Sequence, residues 1–394
     1  MIGFPAKIIN AAGPLSWLGG GPVHPAVLSA MSEASKQTVD MPGLQMWADG
    51  ILSDLIGCES AMVTAGAFAG MVLSAAAVMA GTDFRKMSEL PHPKQPRKIV
   101  IHRSQRNAYD RAWLMGGAEF LEIGFSGPPG TGATELWQLE EALRDPGVCA
   151  VAYAADEPGT SNALPLVDVV KVSHEHQRPV MVDAAAVLPP LQRLTDLLQT
   201  GADLVAVSGG KALGGPQNSG LLLGRKGLIN SARMQWIDCD IDSGYAEKVF
   251  AAGAGNGELP NGRPHHGIGR GFKVSREVIV GTVEAARRFL TEYAQIEQAW
   301  KGRLTTIERA LASVVVGSDC ALQRDDRAWG GPVLRLKMTP NLAKDVSDKL
   351  RAGDPRIEVG RHALAQGIVT VSPLAMRDED VEVLARRVSY CLKN

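Results

Sequence analysis

Gly201-Ala-Asp-Leu-Val-Ala-Val-Ser-Gly-Gly-Lys211-Ala-Leu-Gly-Gly-Pro-Gln217 contains a short apolar strand, Leu204 to Val207, and a small-residue loop that carries one lysine. Twenty-eight residues upstream of Lys211, Pro179-Val-Met-Val-Asp183 is a second apolar strand, and it ends in an aspartate. Two parallel strands that present an Asp and then a Lys at their C-terminal ends suit a pyridoxal 5'-phosphate (PLP) site. There Lys211 forms the Schiff base with the cofactor aldehyde. Asp183 pairs with the protonated pyridine nitrogen, which keeps the ring an electron sink. Imine formation needs a neutral amine, so Lys211 must be partly desolvated. Ser208, three residues earlier, offers a hydroxyl to the cofactor phosphate. A solvated loop lysine and an aspartate that merely caps Ala184 onward are the plain alternatives; the pair together favours the cofactor site.

Working outward, apolar runs recur at Lys98–Ile101, Glu119–Ile123, Cys149–Tyr153, Pro179–Val182, Leu204–Val207 and Gly220–Leu223, with helical spacing between most of them. This alternation predicts an α/β fold with a mostly parallel sheet. Residues 1–60 read as an N-terminal arm and helices, with Ile9-Asn-Ala-Ala-Gly13 turn-rich. Residues 61–274 read as the large cofactor-binding domain. Residues 275–394 read as one long linking helix, Ser275 to Ile307, and a small C-terminal α+β domain. Asn230 to Arg263 reads as an irregular connection that serves as a lid.

Further candidates lie along this frame. Thr64-Ala-Gly66-Ala67-Phe68-Ala-Gly70 opens a helix, and free amides at a helix start bind a phosphate dianion. His102, Gln105, Arg106, Asn107 and Tyr109 follow a strand, and one of them is expected to cover the pyridine face; Arg106 also suits a substrate anion. Arg270 and Lys273, flanked by glycines, suit phosphate, in the same chain or across a dimer interface. Arg361 suits a substrate carboxylate. His265-His266 has no third ligand at suitable spacing, so no metal site is expected.

The 394 residues carry net charge −1 and are 45% hydrophobic and 21% charged, with no basic excess of the kind that marks nucleic-acid binding. The five scattered cysteines, with no Cys-x-x-Cys, fit a reducing cytoplasm rather than a disulfide framework. The apolar stretch Ala61 to Gly81 is broken by Thr64, Gly66, Gly70 and Ser74 and reads as a buried loop and helix, not a membrane span.

Taken in order, Ile9-Asn-Ala-Ala-Gly13, Gly116-Gly-Ala-Glu-Phe-Leu-Glu-Ile-Gly124, Val180-Met-Val-Asp183 and Ser208-Gly-Gly-Lys211-Ala-Leu-Gly-Gly-Pro-Gln217 resemble the PLP-dependent fold-type-I superfamily. The resemblance is strongest to the branch of L-seryl-tRNA(Sec) selenium transferase and D-glucosaminate-6-phosphate ammonia-lyase. It implies Lys211 and Asp183 in the roles above, phosphate contacts from Gly66, Ala67 and Ser208, and a homodimer or larger homo-oligomer. It also places Asn10, Arg106 and Arg361 among the substrate-binding candidates. Gly210 stands where the selenium transferase has an acidic residue, and the chain lacks that enzyme's tRNA-binding region ahead of Ile9. The resemblance thus implies a PLP-dependent lyase acting on a small hydroxy amino acid or amino sugar acid. Aldol cleavage and racemisation would use the same groups. Selenium transfer and a non-catalytic PLP-binding regulator are the alternatives.

Overall fold

The computed structural model describes residues 6–94, 96–125, 133–157, 160–241, 266–316 and 319–393. The chain enters through β1 (Ile8–Ala11), α1 (Pro25–Ser35) and α2 (Met41–Ile56). The large sheet then takes β2 (Ser60–Thr64), β3 (Lys98–His102), β4 (Glu119–Ile123), β5 (Val148–Ala154), β6 (Val180–Asp183), β7 (Leu204–Ser208) and β8 (Gly220–Gly224). Its order is β2-β8-β7-β6-β5-β3-β4. Every neighbouring pair is parallel except those of β8, which runs antiparallel to both β2 and β7. The α/β expectation therefore holds, and the continuous apolar runs are continuous because both faces are covered.

Side chains alternate across the sheet, so each central strand feeds two cores. On one face Met62, Ile99, Ile101, Met181, Ala206 and Leu222 pack under α3 (Ala67–Ala80). On the other, Val100, Val151, Val182, Val205 and Val207 pack with Leu166, Val169 and Phe289. The apolar stretch from Ala61 is thus strand β2 followed by a helix buried nearly all round. No helix among the described residues is long and apolar enough to cross a membrane.

The C-terminal part holds β9 (Ala321–Asp325), β10 (Val333–Lys337), β11 (Arg356–Val359) and β12 (Ile368–Val371). Three of these form an antiparallel sheet, β12-β10-β9. β11 pairs in parallel with β1, Ile9 opposite Ile357. The segment at Ile9, expected to be turn, is therefore a strand, and it belongs to this small core with Leu334, Leu336 and Val371. The long linking helix is two helices, Arg276–Thr291 and Tyr293–Val315, interrupted at Glu292 where φ is −117° and ψ is 16°. Asn230, placed at the start of an irregular connection, instead lies inside helix Lys226–Met234. The lid expected after it falls largely on residues 242–265, outside the described residues, as does His265.

Candidate active site

Strands β6 and β7 are neighbours in parallel register, Asp183 opposite Ala206, so their C-terminal ends open on the same side. Asp183 lies on the α3 face by alternation with Met181, and Ser208 shares that face through Ala206. After Ser208 the chain turns tightly: Gly209 N–H donates to the Ser219 carbonyl at 2.8 Å and Gly215 N–H to the Gly209 carbonyl at 2.9 Å. Ala212 and Leu213 are buried in the opposite core and pin the far side of the loop. Lys211 is held between these anchors. Burial pushes its ammonium below the usual lysine range, and the Asp183 carboxylate partly opposes that. Burial pushes the Asp183 carboxyl up, while the Ala185 N–H, at 3.0 Å, and Lys211 favour its charged form. Both groups are thus ionisable, desolvated and mutually attractive, an arrangement typical of working sites.

Beside them stands the N-terminus of α3. Its cap is Gly66, at φ 93° and ψ 165°, and no side chain caps the helix. A Cβ on Gly66 would meet nothing within 4 Å, so the first amides of α3 face open space. Gly220 of β8 lies between Thr64 and Ser208 in register. A Cβ there would sit 2.5 Å from the Gly66 carbonyl carbon and 2.7 Å from the Ala67 nitrogen. Gly220 therefore lets the Gly66–Ala67 peptide settle against the sheet next to Ser208. Its role was invisible in the sequence because it depends on pairing across three strands.

Residues 87–249 match the family model described as Aminotransferase class-V. A 5'-C-glycyluridine monooxygenase-decarboxylase from Streptomyces sp is 28% identical over 399 residues, covering 98% of this chain and 90% of that protein. The D-glucosaminate-6-phosphate ammonia lyase of Salmonella typhimurium (strain 14028s / SGSC 2262) is 25% identical over 393 residues, covering 97% and 94%. A solved D-glucosaminate-6-phosphate ammonia-lyase superposes with a TM-score of 0.78 at 24% identity, covering 99% of this chain and 97% of that one. SPT solved with its PLP internal aldimine superposes at 0.55 and 14% identity, covering 98% and 87%.

The chain shares the fold of that ammonia-lyase and of SPT.

Not every expected residue gathers beside Lys211 and Asp183. His102 alternates with Ile101 and so lies on the face of Val100 and Tyr153, away from Asp183. Its ring meets Tyr153 edge-on at 5.8 Å. It is fully buried, neither ring nitrogen has a hydrogen-bond partner among the described residues, and burial pushes its pKa down to about 4. His102 is a core histidine and does not cover the cofactor face. Asn10 is buried, and its amide donates to the carbonyls of Gly13 at 2.9 Å and Gly20 at 3.1 Å while its oxygen accepts from Ala12 N–H. It shapes the N-terminal turn instead of facing a substrate. Gly20 in turn lies against Gln217 and the Gly210 carbonyl, which links that turn to the Lys211 loop.

Arg106 is engaged by Asp110 and Glu122 and stacks 4.5 Å over Phe120. Those contacts commit its guanidinium to protein carboxylates. Asn107 and Gln105 are likewise spent on backbone groups, and Tyr109 is exposed. Phe68 packs half-buried on the α3 side, leaving its backbone amide at the helix start. Arg270 and Lys273 line a cavity of about 450 Å³ together with Thr82, beyond the C-terminal end of α3. Arg270 is paired with Asp238. Arg361 donates to Asp348 at 2.7 Å through one terminal nitrogen, and its other terminal nitrogen is buried without a partner among the described residues.

One carboxyl was missed. Asp156 follows β5, the strand next to β6; burial and then the Asp183 charge push it up. Its place after an apolar strand, as for Asp183, was the available signal.

Proposed function

We propose that this chain is a PLP-dependent lyase that releases ammonia from a small hydroxy amino acid or amino sugar acid. The observation that carries the reading is Lys211 and Asp183 at adjacent strand ends beside an uncapped helix N-terminus. The donor set fits PLP: a desolvated amine, a desolvated carboxylate suited to a cation, and free amides with a serine hydroxyl for a dianion. When bound, PLP supplies an electron sink for the bonding pair at the substrate Cα.

The rest falls to the protein. Amides of Gly66, Ala67 and Phe68, with the Ser208 hydroxyl, hold the phosphate. Asp183 holds the proton on the ring nitrogen, which relieves its own desolvation. Lys211 Nζ, poorly tolerated as an ammonium, is the base that takes the Cα proton. Arg361 clamps the substrate carboxylate with its unpartnered nitrogen. Asp156, kept protonated more readily than an ordinary aspartate, is placed to donate to a leaving hydroxyl. Two relatives support the substrate class. Their named substrates, D-glucosaminate-6-phosphate and 5'-C-glycyluridine, both join an amino acid group to a sugar skeleton. Gly210 supports a lyase over selenium transfer, because a Cβ there would lie 2.5–2.9 Å from backbone atoms of Gln217 and no acidic side chain fits. The same reading includes a cytoplasmic homo-oligomer, in which Lys273 reaches the phosphate of a partner copy while Arg270 stays paired with Asp238. The scattered cysteines, with no Cys-x-x-Cys, suit that compartment.

The test is an absorption spectrum of the PLP-supplemented protein, then a screen of hydroxy amino acids and phosphorylated amino sugar acids for ammonia. A band near roughly 410–430 nm, abolished by borohydride and absent in Lys211→Ala, together with ammonia release, supports the reading. No band overturns the cofactor. A band with oxygen uptake and carbon dioxide release instead of ammonia overturns the lyase.

A further inference from the structure

Away from Lys211, at the rim of the 450 Å³ cavity, Asp238, Cys239 and His266 bring a carboxylate oxygen, a sulfur and an imidazole nitrogen within 4.8 Å of one another. We propose that these three side chains bind one zinc-class divalent transition-metal ion. The site is independent of the PLP reading.

The geometry is that of a metal polyhedron edge. Cys239 Sγ lies 3.5 Å from His266 Nε2. A tetrahedral ion with metal–sulfur near 2.3 Å and metal–nitrogen near 2.0 Å separates those atoms by about 3.5 Å. A thiol, an imidazole and a carboxylate are borderline-soft donors, which select zinc-class ions over calcium or magnesium. The carboxylate is also oriented: Arg270 pairs with Asp238 Oδ2, while Oδ1 accepts from Asp240 N–H at 3.4 Å and lies 3.9 Å from His266 Nδ1. Such an outer partner fixes a ligand's direction. Carboxylate and thiolate together offset the charge of the ion, and Arg270 leaves the cluster with one net positive charge. Three protein ligands leave a fourth position for water or a small anion, and His266 is exposed, so an ion can enter. The sequence hid this site because the ligands come from positions 27 residues apart rather than from a local spacing.

The experiment uses the full chain with PLP, treated with a chelator and then titrated with Zn²⁺ alone against a chromophoric competitor. Co²⁺ is added in parallel to read a thiolate-to-metal charge-transfer band. One ion per chain is expected, with the Co²⁺ band present. Cys239→Ser and His266→Ala should each weaken binding by at least about 10-fold and abolish or shift the band. Cys391→Ser, a buried cysteine elsewhere, should change neither. Circular dichroism checks folding, and Asp238→Asn stands in for any variant that fails it, with the same weakening expected. Binding by wild type no tighter than by Cys239→Ser/His266→Ala, or a wild-type Co²⁺ complex without sulfur charge transfer, overturns the site.

Discussion

Replacing Gly220 with alanine should damage cofactor binding by displacing the Gly66–Ala67 peptide that holds the phosphate. The added methyl would sit 2.5 Å from the Gly66 carbonyl carbon, 2.7 Å from the Ala67 nitrogen and 2.8 Å from the Gly66 Cα. All three are backbone atoms, so no side chain can swing away. Restoring ordinary contact requires the Gly66–Ala67 peptide to lift by about 0.9 Å, because carbon contacts below roughly 3.4 Å are repulsive. An amide hydrogen bond to a phosphate oxygen near 2.9 Å would then stretch to about 3.8 Å and cease to be one. A bond to a charged group contributes about 1.5–3 kcal/mol, so PLP affinity should fall about 10- to 150-fold. The apo protein should also lose about 1–3 kcal/mol from overpacking. PLP titration followed by absorbance reads the first effect, and urea denaturation of the apo protein reads the second. Gly227→Ala is the control: a Cβ there meets nothing within 4 Å, and it lies in helix Lys226–Met234. If Gly220→Ala binds PLP like wild type, the phosphate cup is not where it has been placed.

Other outcomes follow from the same packing. Lys211→Met should stabilise the apo protein at neutral pH by about 0.5–2 kcal/mol, measured by urea denaturation. The sign follows from the lowered folded-state value, which makes the unfolded chain bind more protons and lets stability rise with pH in that window. His102→Leu should leave PLP absorbance unchanged and improve acid resistance. With a folded pKa of about 4 against 6.5 unfolded, the buried imidazole removes stability as pH falls from 6.5 to 4, by up to about 3 kcal/mol, and leucine abolishes that loss. Asn10→Ala should cost about 1–3 kcal/mol in a melting experiment, since the Gly13 and Gly20 carbonyls lose their shared donor. Arg361→Ala should lower kcat/KM for a carboxylate substrate about 10- to 150-fold, mainly through KM, and should barely affect the matching carboxamide.

The sheet and the two chemical anchors were legible because their signals are local. A continuous apolar run marks a strand covered on both faces, and a lone Asp or Lys at its C-terminal end marks the ligand side of an α/β sheet. His102 failed for a reason the same run contained: Val100 and His102 share a parity, but which parity faces Asp183 depends on the register between β3, β5 and β6. The break at Glu292 was hidden because helical spacing continues through it. Strand β1 read as turn because its four residues gain their identity only from a distant partner. Arg106 looked free because Glu122, which holds it, comes from the next strand.

The pairing of β1 with β11 joins Ile9 to Ile357, positions about 350 residues apart. On a ribosome adding roughly 5–20 residues per second, the first strand waits about 20–70 s for its mate to emerge. Through that interval Ile8 and Ile9 are an open edge beside a nascent large domain that is already able to fold. The small domain therefore cannot close until β11 has left the ribosome, and anything joined ahead of β1 waits with it.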